Sequence, residues 1–131
     1  MTSPAPRSLN ILVVDDEESS AISVAYVLRH ASHAVDIAKD GPEAIRRLSE
    51  NTRRYHIVTT DHAMLEVTGL DLVSRLRATG FSGKILVLSA NVTPDLSITF
   101  LKLGADYIIS KPFELAEMRK AVEHLGSGVE Y

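Results

Sequence analysis

Four short, mostly apolar runs, each closed by a polar residue, constrain this chain more than any other feature. Ile11-Leu12-Val13-Val14 ends at Asp15-Asp16, and Ile57-Val58-Thr59-Thr60 ends at Asp61. Ile85-Leu86-Val87-Leu88 ends at Ser89, and Tyr107-Ile108-Ile109-Ser110 ends at Lys111-Pro112. Runs rich in Val and Ile, separated by helix-length stretches, read as buried strands of a parallel sheet. In open sheets of this kind the functional crevice lies at the carboxyl ends of the strands. Three carboxylates, a hydroxyl and an ammonium group are therefore expected to converge there, a set able to hold a divalent cation and a phosphoryl group.

The spaces between the runs supply the helices. Strands are expected over about Asn10–Val14, Ala34–Ala38, His56–Thr60, Lys84–Leu88 and Asp106–Ile109. Helices are expected over about Glu18–His30, from Gly41-Pro42 onward, Leu70–Ala78, from Pro94 to Gly104, and Glu114–Leu125. Ala21, Ile22, Ala25, Val27 and Leu28 mostly follow helical spacing in the first helix, and Leu115, Met118, Ala121, Val122 and Leu125 form the core stripe of the last. Asp40 is placed to cap the second helix, with Pro42 in its first turn. Gly104 is a C-terminal stop. The order is βα repeated five times.

At 131 residues the chain suits one domain, and its 45% hydrophobic and 24% charged residues are ordinary for a soluble protein. Residues 1–8 read as a flexible N-terminal tail, 9–126 as the folded domain, and 127–131 as a flexible tail or a shortened linker. A net charge of -3 gives no electrostatic reason to expect nucleic-acid or membrane binding. There is no Cys, which excludes disulfides and thiolate chemistry. With no apolar stretch near the roughly 20 residues of a membrane span, a cytoplasmic location is expected.

Taken in order, Val14-Asp15-Asp16-Glu17, Asp61 with Met64 and Gly69 downstream, Leu88-Ser89-Ala90, and Gly104-Ala105-Asp106 leading to Lys111-Pro112-Phe113 resemble the receiver domain of two-component response regulators. The resemblance covers about Asn10 to Leu125. It implies an α/β fold, a (βα)5 doubly wound, flavodoxin-like (CheY-like) sandwich with a five-stranded parallel sheet in the order 2-1-3-4-5. It also implies that Asp61 accepts a phosphoryl group from a histidine kinase or phosphotransfer protein, with Mg²⁺ as cofactor. Asp16, Asp61 and the backbone carbonyl of Ala63 would hold the metal directly, and Asp15 through a water. Lys111 and Ser89 would each engage a phosphoryl oxygen, and Lys111-Pro112 would be a cis peptide.

The chemistry agrees. Two carboxylates about 4 Å apart at an effective dielectric near 20 repel by about 4 kcal/mol, and a cation removes that penalty. Mg²⁺ takes oxygen ligands and bridges carboxylates to phosphate. Aspartyl phosphates are known intermediates, and phosphoryl transfer depends mainly on positioning and charge stabilisation. Structural alternatives exist for each residue alone: Asp15-Asp16 and Ser89 as helix caps, Asp61 as a loop acid, Lys111 as a surface cation.

Three departures from the family pattern stand out. Leu65 replaces the usual proline after Met64. Ile108 occupies the place of the usual aromatic residue, and Tyr107, one residue earlier, faces the other side of its strand. His62 directly follows the acceptor and reads as a partly exposed loop side chain. His30, His33, His56 and His124 lack metal-ligand spacing and read as surface or boundary residues.

In the fourth helix Leu96, Phe100 and Leu103 fit a core face. Ile98 and Leu101 fall on another side, either as part of a wider buried stripe or, with Ile108, as a partner face. The output would be a contact with a downstream protein or a separate output domain, and a second copy of the chain is a further candidate partner. Two other functions compete: an interaction module that does not use phosphorylation, and a hydrolase passing through an aspartyl phosphate. Such hydrolases usually place a second Asp two residues after the nucleophile, where this chain has Ala63, so turnover of an external substrate is not expected.

Overall fold

The computed structural model describes residues 8–50, 54–64 and 67–128. Most of the expected N-terminal tail (1–7), residues 129–131 and the Leu65 departure lie outside the described residues.

Five strands alternate with five helices: β1 (Asn10–Val14), α1 (Glu18–His30), β2 (Ala34–Ala38), α2 (Gly41–Glu50), β3 (Ile57–Asp61), α3 (Gly69–Ala78), β4 (Lys84–Ser89), α4 (Pro94–Leu103), β5 (Tyr107–Ser110) and α5 (Leu115–Gly126). All pairings are parallel, and the strand order is β2-β1-β3-β4-β5, as the resemblance implied. Strand alternation sends side chains to two cores. Ile11, Val13, Ile57, Leu86 and Ile109 pack with α1 and α5. Leu12, Val14, Val58, Ile85 and Val87 pack with α2, α3 and α4. The three central strands are covered on both faces, which is why they read as continuous apolar runs.

Helix ends follow local chemistry. The Asp40 carboxylate accepts from the Glu43 amide at 2.8 Å, and Glu43 returns a bond to the Lys39 amide at 3.1 Å. This reciprocal pairing is close to a capping box. Thr68 and Thr93 cap α3 and α4. Gly104 closes α4 with φ 114°, a left-handed conformation that suits glycine.

Some core expectations are corrected. In α1 the buried face is Ala21, Val24, Ala25 and Leu28, whereas Ile22 is exposed. Leu115, the first residue of α5, is 40% exposed and not part of the helix's buried stripe. Ser8, assigned to the tail, donates to the Ser32 carbonyl at 2.8 Å. Gly126 is buried, and a Cβ there would stand 2.6 Å from Leu9 Cδ1.

Arg77 clasps the ends of three elements. Its guanidinium donates to the carbonyls of Phe81, Gly83 and Gly104 and to Asp106 Oδ2, all within 3.0 Å. Asp106 also accepts from the Ile85 amide at 2.8 Å, which ties the start of β5 to β4.

Two histidines hold the entry of β1. The Leu9 amide donates to His33 Nδ1 at 3.1 Å, and the Asn10 amide donates to His56 Nδ1 at 2.9 Å. His33 is buried, not a boundary residue, and both rings serve as neutral acceptors. Burial pushes both imidazoles below the ordinary value of 6.5, with Glu123 partly offsetting this for His33. An unfolded histidine therefore protonates at higher pH than either folded one. The stability they contribute is complete above the ordinary value and is lost as pH falls through the lowered folded values. Urea unfolding midpoints compared between about pH 7.5 and about pH 5.5, the range of histidine titration, should fall in the native chain. The fall should be smaller in the His33→Asn/His56→Asn double variant, whose amide oxygens accept without titrating.

Candidate functional site

The carboxyl ends of β1, β3, β4 and β5 gather the expected residues. Asp61 is the last residue of β3 and lies opposite Leu88 of β4. It is 8% exposed. Lys111 Nζ sits 2.9 Å from Asp61 Oδ1, so Lys111 is not a free surface cation. The Lys111 amide donates to the Ser89 carbonyl at 2.8 Å, and the Lys111–Pro112 bond is cis. Ser89, the last residue of β4, is buried and caps no helix; Thr93 fills that role for α4.

Asp15 follows β1. Its amide donates to the Ala38 carbonyl at 3.1 Å, and its Oδ1 accepts from the Glu17 amide at 2.9 Å. Neither Asp15 nor Asp16 caps α1, whose N-cap is Glu17 with no side-chain hydrogen bond. Asp15 is buried and Asp16 is exposed at the rim, as is Ala63. Burial pushes the Asp15 carboxyl above its ordinary value, and the Asp61 and Asp16 charges push the same way. The Glu17 amide and Lys111 act in the opposite direction.

Asp15 lies near enough to both other carboxylates to feel the charges of Asp61 and Asp16. Among the described residues, no three Asp, Glu, His or Cys side chains are gathered closely enough to hold a metal ion unaided. Asp15 and Asp61 are buried and Asp16 is exposed beside them. That donor set is all oxygen and incomplete, which fits a small hard cation that keeps several of its waters.

A cleft of about 750 Å³ opens beside Asp15 and Lys111. Ser19, Ser20 and Ser23 of α1 line one wall, and Phe113 and Leu115 line the other. The only mark of these serines along the chain is their spacing on one helical face.

Ile98 and Leu101 are 51% and 53% exposed, so the wider buried stripe is excluded. Ile108, grouped with them as a partner face, is instead half-buried against the core on the α2–α4 side, and Tyr107 is the exposed residue of β5. His62 is half-buried, with its ring edge-on to Phe100.

The sequence profile of the response regulator receiver domain matches residues 11–123. The chain belongs to that family. This receiver domain is 33% identical over 118 residues to the transcriptional regulatory protein CutR of Streptomyces coelicolor, covering 90% of this chain and 54% of that protein. It is 36% identical over 110 residues to the response regulator MprA of a Mycobacterium species, covering 84% and 47%. The chain thus spans about half the length of these relatives. Among solved structures, the chemotaxis protein CheY4 of Vibrio cholerae superposes with a TM-score of 0.82 at 26% identity, covering 91% of this chain and 99% of that one. The receiver domain of the Francisella response regulator 1452 gives a TM-score of 0.83 at 28% identity, covering 92% and 98%. Among the described residues of this receiver domain, no helix is long and apolar enough to cross a membrane.

The raised Asp15 carboxyl has a consequence for stability. Its ionised form is penalised by the fold, so its contribution favours folding at low pH and opposes it above the ordinary value of 3.8. Asp15→Asn keeps an oxygen to accept from Glu17 and removes the charge. Without divalent cations at neutral pH, it should raise the thermal midpoint by about 3–5 °C, the shift that about 1 kcal/mol produces in a domain this size. Differential scanning calorimetry checks this.

Proposed function

We propose that this receiver domain accepts a phosphoryl group on Asp61 from a phosphohistidine of a sensor kinase or phosphotransfer protein, in a Mg²⁺-dependent reaction. The observation that carries the reading is the 2.9 Å contact of Lys111 Nζ with the nearly buried Asp61 carboxylate, at the end of the central strand. An Asp61 oxygen forms a bond to phosphorus as the P–N bond of the donor breaks. The bonding pair stays with the donor imidazole nitrogen, which takes up a proton.

Lys111 supplies a compact positive charge for one phosphoryl oxygen. Ser89 offers a hydroxyl to another, and the small side chain of Ala90 leaves the group room. Asp16, Asp61 and the Ala63 carbonyl would hold Mg²⁺, with Asp15 reaching it through a water. Bound there, the ion offsets carboxylate repulsion and neutralises charge on the transferred group. The chain acts as a phosphoacceptor and does not turn over an external substrate. Phosphorylation shifts an equilibrium of conformations, read on the α4–β5–α5 face by a downstream protein or by an output domain. The transcriptional regulatory protein CutR, of which the matched segment is 54%, is the ground for the latter.

Intact-mass spectrometry after incubation with acetyl phosphate and Mg²⁺ tests this. One added phosphoryl group, about 80 Da by its composition, is expected. It should disappear when Mg²⁺ is withheld and in Asp61→Asn. Lys111→Ala should slow its appearance by about 10²-fold or more, the scale of losing one charge-stabilising donor. No gain under any condition, together with no Mg²⁺ binding, would instead identify an interaction module that does not use phosphorylation.

A further inference from the structure

His62 is held on several sides. Its amide donates to the Leu88 carbonyl at 2.9 Å, and its carbonyl accepts from the Gly69 amide at 2.9 Å. A Cβ on Gly69 would stand 2.7 Å from His62 Cα and 3.1 Å from its Nδ1, so only glycine leaves the residue its place. The ring presents an edge contact to Phe100, with centroids 5.1 Å apart and planes at 85°. Such a geometry is a favoured aromatic packing mode.

Phe100 is the one fully buried side chain of α4. It seats the middle of the helix on the core between the partly buried Leu96 and Leu103, and it rests on the residue next to Asp61. Ile98 and Leu101, three residues apart on the same helix, are both exposed. His62 Nδ1 is itself buried with no hydrogen-bond partner. An unpaired buried nitrogen carries a desolvation penalty, so this packing is one that a rearrangement could relieve.

We propose that His62 is a positioning residue that couples the state of Asp61 to α4. The inference rests on Asp61 being the phosphoacceptor. A phosphoryl group on Asp61 gives Lys111 a new partner and shifts the end of β3. His62, one peptide bond away, passes that shift through its ring to Phe100 and so to the face carrying Ile98 and Leu101. A ligand moves such an equilibrium only through interactions that differ between the two states. Here the differing interactions are the His62–Phe100 contact and the unpaired Nδ1.

Hydrogen exchange of peptides spanning α4, with and without acetyl phosphate and Mg²⁺, tests this in the native chain, His62→Ala and His62→Phe. Intact mass records phosphorylation in each sample. The native chain should show a change of about tenfold in α4 exchange on phosphorylation, within the range of typical coupling. His62→Phe keeps the ring and should respond, starting from slower exchange because no unpaired nitrogen is buried. His62→Ala should gain the phosphoryl group yet lose the α4 response. An α4 response in His62→Ala equal to that of the native chain overturns the coupling role, as does a phosphorylated native chain without one. Loss of phosphorylation in both variants overturns it too, by placing His62 in the acceptor chemistry itself. A native chain that never gains the group fails on the mass reading and takes the acceptor reading down first.

Discussion

A carboxylate at the buried end of a central strand needs a partner for its charge, and here the partner is Lys111 Nζ, 2.9 Å from Asp61 Oδ1. Much of the fold serves to make that meeting possible. Asp61 is carried by β3, which is covered on both faces and paired to β1 and β4. Lys111 comes from the far side of β4, and its amide is fixed by the Ser89 carbonyl. The pairing of β4 with β5 brings Ser89 opposite Ser110, so the hydroxyl and the ammonium reach the crevice together. One slip in that register would reverse the facing of the whole β5 strand.

The crevice also concentrates the unfavourable features of the molecule. Asp15 is buried with its carboxyl pushed upward, and His62 Nδ1 lacks a partner a few residues away in the fold. Polar groups confined in this manner are costly unless paired. They persist at sites where chemistry or switching repays them. The opposite end of the sheet shows the contrast. There His33 and His56 satisfy the consecutive Leu9 and Asn10 amides at the entry of β1, and Tyr55 donates to Asp36 at 2.7 Å.

The strands were legible because three of them are covered on both faces and so leave unbroken apolar runs. β1, β2 and α1 fall where the pattern places them, and the other bounds move by a residue or so. Asp40 and Gly104 announced their helix ends through chemistry confined to a few residues. What sequence could not supply depended on partners distant along the chain. Val24 rather than Ile22 faces the core because α1 packs against α5 and the sheet, and helical spacing alone admits either. His33 reads as a surface residue until β1 delivers the Leu9 amide to it. The crevice residues were identifiable by position at strand ends, but not that Asp15 and Asp61 would be buried and Asp16 exposed. The His62–Phe100 contact joins residues 38 positions apart on separate elements, with no local signature.

The Arg77 clasp sets the geometry available to α4. Two of its nitrogens grip the Gly104 carbonyl at the C-terminal end of that helix, and the same guanidinium is bound to the α3–β4 turn and to Asp106. At the N-terminal end Thr93 and Pro94 are exposed, Thr93 caps the helix, and Leu96 is partly buried against the core. A rod pinned at one end turns as a lever, with displacement growing along its length. If α4 turned about that end on the proposed phosphorylation, Ile98, farther from it than Leu101, would travel the longer arc, and the two exposed side chains would change their spacing relative to β5 as well as their height above it. A partner that bridges α4 and β5 would then sense the angle of the helix.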